Sequence, residues 1–249
     1  MVTSLGATLL GPGRVRHAGH GPTVLGTHAR GPGRAAVLAS LGELAAAMGR
    51  AGMPCRVLGT AGELDRALWT KLAVNAAINP LTAAHGVPNG AVLSDPALRA
   101  WARAICGEVC RVAALSGRAD LDPAATWAAV ERAATLTADN RSSMLQDLVS
   151  APADPPPPPD APGPPPRPGP RRARAPAAPG PPPRPGPGDP PRAPRPPQEA
   201  GRETEIEAIS GAVVRAAAEA GAPPGAVEAN VRAMRAVARA QARGGGRGG

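Results

Sequence analysis

The sequence predicts an α/β remnant followed by a mainly α-helical domain, which a disordered proline-rich insert divides into two parts. β-like runs between glycine-rich turns are confined to residues 1–60, and helix signals fill residues 61–150 and 201–243. Between the helical parts, residues 151–200 hold 24 of the 34 prolines in this 249-residue chain. Residues 244–249 form a glycine and arginine tail that we expect to be flexible.

Residues 1–60 have the pattern of the end of an α/β domain. The predicted elements are three strands, a helix and a fourth strand, at residues 2–10, 14–17, 23–27, 35–48 and 55–58. The helix is predicted from the spacing of Leu38, Leu41, Leu44 and Met48, which is near 3.6 residues. A complete open α/β domain needs several βα units and usually a glycine-rich turn after its first strand. This region is therefore predicted to be only part of one.

Two acid-proline pairs mark helix starts within residues 61–150. Asp95-Pro96 and Asp122-Pro123 each place an acid at the N-cap and a proline at the first helical position. Gly117 stands where the first of these helices should end. Between these signals a single apolar stripe is formed by Leu98, Trp101, Ala102, Ile105, Val109 and Val112. That face is predicted to pack on another helix.

The segment from 151 to 200 cannot bury a core, because it has almost no apolar side chain larger than alanine. We expect it to be disordered or polyproline-like, and its ten-residue sequence APGPPPRPGP occurs twice. Order is predicted to resume at Thr204, which forms a Thr-x-x-Glu capping box with Glu207. Gly221 is placed to end that helix, and a last amphipathic helix is predicted over residues 226–239.

Composition excludes several classes of function. The net charge of +9 would suggest a polyanion partner, but the 27 arginines are scattered and no aromatic platform accompanies them. We therefore predict no nucleic-acid partner. The three cysteines (Cys55, Cys106 and Cys110) are too few for a disulfide framework and lack partners for a zinc site, so no metal is expected. With no membrane segment and no secretion signal, the sequence predicts a soluble cytoplasmic chain.

Lys71 is the only lysine in the chain, and Asn75 and Asn79 follow it at helical spacing. One cation and two amides on one helix face could bind a carboxylate, a carbonyl oxygen and a hydroxyl of a ligand. A partly desolvated lysine could also donate a proton near neutral pH. Pro80 is expected to end this helix. From the residues alone, a solvated lysine and a helix-ending Asn-Pro pair are an equally good account.

Five segments, taken in order along the chain, resemble the ketopantoate reductases, also called 2-dehydropantoate 2-reductases. The strongest is WTKLAVNAAINPLTA with the Pro-Asn-Gly that follows it; the segments are residues 6–7, 15–17, 69–90, 142–147 (SSMLQD) and 204–207 (TEIE). The resemblance implies a helical substrate domain, able to form a homodimer, joined to the end of a Rossmann-type domain that binds NADPH. It also implies reduction of 2-dehydropantoate to pantoate in pantothenate biosynthesis.

The resemblance also implies roles for individual residues. Lys71 falls on the general acid that protonates the ketone oxygen as NADPH delivers its hydride. Glu205 falls on a carboxylate beside the substrate and the nicotinamide ribose, and Ala7 on a position whose backbone lies near the cofactor. The positions that contact substrate are Asn75, Asn79, Asn89 and Ser143. The four histidines match no position of the site and are treated as structural.

Each of these residues also has a purely structural interpretation. Asn89 precedes Gly90 and could form a turn. Ser143, with its neighbour Ser142, could cap the helix that starts at residue 144. Glu205 lies in the first turn of a helix, where the dipole favours an acid. Ala7 has no reactive side chain. The order and spacing of the whole set favour the functional interpretation.

The chain departs from the family pattern in two ways. First, no Gly-x-Gly-x-x-Gly follows an initial strand, and Gly11-Pro12-Gly13 and Gly31-Pro32-Gly33 do not replace it because proline has no amide. The polypeptide as given is therefore expected to bind NADPH poorly and to show no turnover, as a truncated or inactive chain would. Second, the insert at 151–200 lengthens the connection between two motifs, which costs little entropy.

An alternative function rests on the proline-rich insert. Residues 184–190 fit an Arg-x-x-Pro-x-x-Pro ligand for the aromatic groove of an SH3-like domain. On this interpretation the chain is an interaction protein, and a peptide covering residues 180–191 would capture a partner that a scrambled peptide does not.

Overall fold

The computed structural model describes the backbone of residues 2–11, 14–149 and 204–245. Side chains are described over the same ranges except 3–11, 15–22 and 244–245. The predicted disordered insert at 151–200 lies outside the described residues, as does most of the predicted flexible tail. The described part is mainly helical, with one small sheet.

The sheet has three strands in the order β1-β2-β3: β1 spans Val2–Gly11, β2 Arg14–Leu25 and β3 Cys55–Val57. The first two strands are antiparallel, and β2 and β3 are parallel. The prediction that β2 would be two separate runs is wrong. Its glycine-rich middle has the composition of a turn, but the backbone stays paired with β1 because three shifts of register absorb the irregularity.

Helix α1 spans Arg34–Arg50 and connects β2 to β3, which confirms the helix predicted over 35–48. It packs against β3 and has no buried residue. Its apolar side chains are at most half-buried: Leu38 and Leu41 are half-buried, whereas Val37 is 40% exposed and Leu44 is 48% exposed.

Helix α2, Ala61–His85, is the centre of the helical part. Thr60 and Glu63 form a capping box at its start, and the hydrogen bonds from Thr60 lower the pKa of Glu63. At its other end Gly86 adopts a left-handed conformation with φ of 68°. Later helices pack around α2, so residues on it can be surrounded on several sides.

The prediction that Pro80 ends this helix is wrong, because α2 continues to His85. A proline inside a helix removes one hydrogen bond and costs about 3 kcal/mol. Burial outweighs that cost here: Ile78, Pro80 and Leu81 are all buried, and each large apolar side chain contributes about 1.5–3 kcal/mol. The Thr82 hydroxyl also donates to the carbonyl of Ile78 at 2.9 Å, in the turn that follows the proline.

The remaining described helices are α3 Ala91–Ser94, α4 Pro96–Leu115, α5 Pro123–Leu136, α6 Ser143–Val149, α7 Ile206–Glu219 and α8 Glu228–Gly245. Asp95 and Asp122 cap α4 and α5 as predicted, each accepting hydrogen bonds from two backbone amides. Gly117 and Gly221 follow the ends of α4 and α7 with positive φ, also as predicted. The predicted stripe of α4 faces the core.

The capping box predicted for Thr204 and Glu207 is not formed. Thr204 is buried and accepts a hydrogen bond from Gln241 of α8 at 3.4 Å, while the Glu207 carboxylate lies 3.6 Å from Arg215. Both side chains therefore interact with residues of the folded helices, and neither caps the start of α7. The last helix is also longer than predicted, since α8 runs from 228 to 245 rather than 226 to 239.

A buried carboxylate holds the start of α8 against α4. Glu108 is 5% exposed and accepts hydrogen bonds from the amides of Ala229 and Asn230 at 2.7 and 2.9 Å. It also accepts one from the Asn230 side chain at 2.8 Å. A carboxylate is favoured at a helix N-terminus, where backbone amides lack partners inside the helix. Glu108 therefore acts as a cap supplied by a distant helix.

Cys106 and Cys110 lie buried in α4, as expected of small core residues. A hydrogen bond between the two thiols lowers the pKa of Cys110 to about 7, and that bond together with burial raises the pKa of Cys106. In the described ranges no group of His, Cys, Asp and Glu side chains is arranged to hold a metal ion. None of the described helices is long and apolar enough to span a membrane.

Candidate active site

A polar row runs along α2 at the edge of the core. Lys71 is exposed, whereas Asn75 and Asn79, one and two turns later, are half-buried. Their neighbours Ala76 and Ala77 are fully buried. The row therefore leads from a cation at the surface to two amides near the interior. The exposure of Lys71 differs from the partial desolvation that the sequence suggested.

Two hydroxyls connect the end of this row to α6. The Thr82 hydroxyl donates to the carbonyls of Ile78 and Asn79, at 2.9 and 3.1 Å. Since Thr82 has one hydroxyl hydrogen, Ser142 donates in the 2.8 Å hydrogen bond between the two side chains. Ser142 in turn accepts from the amide of Leu145. Both hydroxyls are buried, so the start of α6 is fixed beside the turn that carries Asn79.

The structure brings two of the predicted site residues together. The Ser143 hydroxyl donates to the Glu205 carboxylate at 3.0 Å, although 62 positions separate them. Both side chains are exposed, and α6 and α7 both pack against α2. The capping interpretation applies to Ser142, whose hydroxyl accepts from an amide of α6, and not to Ser143. The Ser143 hydroxyl is thus available to orient a carboxylate at the surface.

Asn89 lies in a different environment. It is 9% exposed, and its side-chain amide donates to the Thr137 hydroxyl at 2.9 Å. Its backbone amide donates to the carbonyl of Asn140 at 2.9 Å, which ties Asn89 to the loop after α5. Its side-chain oxygen is buried and has no hydrogen-bond partner among the described residues. The hydrogen bonds of the Asn89 amides are therefore with the end of α5 and the loop after it, and not with the row on α2.

Gly90 explains why Asn89 sits so close to that loop. A Cβ added at Gly90 would lie 2.9 Å from the Cβ of Ala138 and 3.1 Å from its Cα, closer than such atoms normally approach. We expect Gly90→Ala to lower the free energy of unfolding by about 1–3 kcal/mol, because backbone must move. Urea unfolding followed by circular dichroism measures this.

The matched control is Gly62→Ala in the first turn of α2, where a Cβ meets nothing within 4 Å. That variant should be neutral or more stable, since alanine favours a helix by up to about 1 kcal/mol. If the two variants unfold at the same urea concentration, the close approach of Gly90 to Ala138 does not constrain the fold.

The remaining predicted site residue, Ala7, belongs to the sheet. Ala7 is in β1, where its backbone pairs with His17 of β2, and its side chain is outside the described part. Two histidines have structural contacts: His28 lies 2.9 Å from Asp65, and His85 contacts the carbonyl of Leu81 at 2.9 Å.

Reasoning from the sequence missed the residues that support the site. Thr82 lies three positions after Asn79, so helical spacing alone places it on the next turn of the same face. Thr137, which accepts from Asn89, gave no such signal because it is 48 positions away.

Residues 63–151 match the family model described as the ketopantoate reductase PanE/ApbA C terminal. The chain is also similar to 2-dehydropantoate 2-reductases. That of Archaeoglobus fulgidus is 39% identical over 148 residues, which cover 59% of this chain and 46% of that protein. That of Halobacterium salinarum is 39% identical over 150 residues, which cover 59% of this chain and 45% of that protein. The chain thus spans about half the length of these relatives.

Solved structures share the fold. A ketopantoate reductase from Ralstonia eutropha JMP134 matches with a TM-score of 0.60 and 23% identity, over 98% of this chain and 59% of that one. D-mandelate dehydrogenase, in a ternary structure with NADH and anilino(oxo)acetate, matches with a TM-score of 0.66 and 18% identity. The match covers 97% of this chain and 58% of that one. These likenesses concern the fold alone. The match to the family model and the two 39%-identical relatives confirm the resemblance to the ketopantoate reductases that the sequence motifs indicated.

Proposed function

We propose that this chain, whose residues 63–151 match the C-terminal domain of the ketopantoate reductases, serves the NADPH-dependent reduction of 2-dehydropantoate to pantoate. The observation that carries the proposal is the polar row of α2 together with the Ser143 and Glu205 pair, which joins two segments that both pack against α2. A 2-oxo acid has a carboxylate and a ketone, and these are the groups that such an arrangement can bind. The reaction would belong to pantothenate biosynthesis.

In the proposed reaction, Lys71 would donate a proton to the ketone oxygen while the ketone carbon is reduced. The side-chain amides of Asn75 and Asn79 would donate hydrogen bonds to the substrate carboxylate. Ser143 would hold the Glu205 carboxylate in place through their 3.0 Å hydrogen bond. NADPH, when bound, would supply the hydride.

The described residues fit that cofactor only in part. The resemblance assigns it Glu205 and the backbone of Ala7. The connection from β2 to α1 runs from Leu25 to Arg34, and it does not fit a dinucleotide pyrophosphate because Pro32 lacks an amide and the Gly-x-Gly-x-x-Gly order is missing. We therefore expect weak binding of NADPH by this polypeptide alone. The three free thiols fit a cytoplasmic location.

Binding of 2-dehydropantoate to the full chain tests the proposal directly. Isothermal titration calorimetry should give saturable binding with a dissociation constant below about 1 mM. Asn79→Ala should weaken binding about tenfold, since it removes one hydrogen bond to a charged group. Thr70→Ala, on the same helix but off the row, is the control and should leave binding unchanged. No saturable binding, or equal effects of the two substitutions, would contradict the proposal.

A further inference from the structure

Four arginines form a single row on the exposed side of α8. Arg232, Arg235, Arg239 and Arg243 follow one another at spacings of three or four residues, so they share one face of the helix. The opposite face is buried through Asn230, Ala233 and Val237. At a rise of 1.5 Å per residue, the row is about 16 Å long. An arginine-rich composition alone would not align these side chains.

A groove of about 340 Å³ lies beside the first three of these arginines. Its wall on α4 is Trp101, and small apolar side chains of α8, Val231 and Ala236, also line it. This volume falls in the range of small-ligand sites, at its lower end. The groove is thus large enough for a compact anion.

Trp101 is fixed in this groove by several contacts. Its indole nitrogen donates to the carbonyl of Ala229 at 3.1 Å, and His85 meets the ring edge-on at 6.1 Å between centroids. The Arg232 guanidinium stacks over the ring, 4.4 Å from its centroid. Arg232 is therefore held at the groove in a defined position before any ligand arrives.

The other arginines have no such structural explanation. Among the described residues, no ion pair involves Arg235 or Arg239. Cations near the end of a helix are favoured by its dipole, which accounts for Arg243 but not for Arg235 in the middle of α8. Glu228, at the other end of the groove, would repel an anion and so direct it toward Arg235 and Arg239.

We propose that this arginine groove (Trp101, Arg232, Arg235 and Arg239) binds a small anion that carries two or three linked phosphates. Guanidinium groups match phosphate oxygens through paired N–H donors, and three of them line one short groove. The groove is formed by α4 and α8, apart from the row on α2, and the proposal does not depend on the proposed reaction.

The test is a titration of the full chain with inorganic pyrophosphate and tripolyphosphate at about 0.15 M salt, followed by tryptophan fluorescence and calorimetry. One anion should bind per chain and change the fluorescence. Arg235→Gln with Arg239→Gln should weaken binding at least about tenfold. The control pair, Arg50→Gln with Arg132→Gln, removes the same charge from exposed positions elsewhere and should change affinity less than about twofold.

Four results would overturn the proposal. Equal losses in the two double variants would show only a diffuse charge effect, and absence of saturable binding would show that there is no site. Tighter binding of a single-stranded oligonucleotide than of tripolyphosphate would assign the row to a nucleic-acid surface. Trp127→Phe adds a location control: Trp127 lies outside the groove, so the fluorescence change should persist, and its loss would place the anion elsewhere.

Discussion

Glu108→Ala is expected to lower the free energy of unfolding by about 3–5 kcal/mol, the largest loss that we predict for a single substitution. The variant removes an acceptor of three hydrogen bonds at the start of α8, two of them from backbone amides. Those donors, buried at Asn230 and half-buried at Ala229, would lose their partner, and each unsatisfied buried group costs about 1–3 kcal/mol. Urea unfolding followed by circular dichroism measures the change.

Two further variants distinguish the effect of losing the helix cap from the effect of losing a negative charge. Glu131→Ala removes a carboxylate from an exposed ion pair with Arg99, at 2.8 Å, and should cost less than about 1 kcal/mol. Glu108→Gln keeps the shape and one acceptor oxygen, so its loss should fall between the other two. If Glu108→Ala and Glu131→Ala unfold at the same urea concentration, the carboxylate does not hold α8.

Lys71→Ala is expected to lower the rate of 2-dehydropantoate reduction about 100-fold or more, because general acid catalysis typically contributes that much. The rate is measured as NADPH oxidation by the full chain. The expected absence of turnover follows from weak binding of NADPH, because the connection from β2 to α1 does not fit its pyrophosphate. The cofactor is therefore supplied at millimolar concentration, so that mass action fills the weak site. Substrate binding, measured by calorimetry without the cofactor, should change far less than the rate.

Lys71→Arg distinguishes charge from proton donation. A guanidinium keeps the positive charge but holds its proton at every accessible pH. The rate should therefore fall nearly as far as in the alanine variant. A rate close to that of the unaltered chain would show that Lys71 acts through its charge alone. Turnover that survives Lys71→Ala would remove Lys71 from the proposed chemistry.

Local signals predicted the fold where the determining contacts are local. Asp95 and Asp122 cap their helices because acceptor and amides are two or three residues apart. Pro80 was predicted wrongly, since only tertiary burial explains why α2 continues past it. Glu108 could not be assigned a partner, because the amides it caps follow more than 120 positions later. Its place on an apolar stripe, three residues after Ile105, was the one available signal.

The candidate site was predictable as a set of residues but not as a geometry. The order of motifs suggested that Ser143 and Glu205 belong together, and they share a hydrogen bond in the structure. Nothing in the sequence determined how far Lys71 would be exposed, because exposure depends on which helices cover α2. For the same reason, the sequence placed Asn89 with the α2 residues, whereas its side-chain hydrogen bond is with the end of α5.

Because α1 is exposed, we expect its local stability to be lower than that of the helices around α2. Helix α1 has no buried residue among 17, whereas α2 has ten buried residues among 25. Opening α1 uncovers little additional apolar surface, so the local opening requires far less free energy than global unfolding. Backbone amides of α1 would exchange with deuterium early, and a protease would cut there before the rest of the chain unfolds. The helices around α2 would exchange later and would resist the protease until the whole chain unfolds.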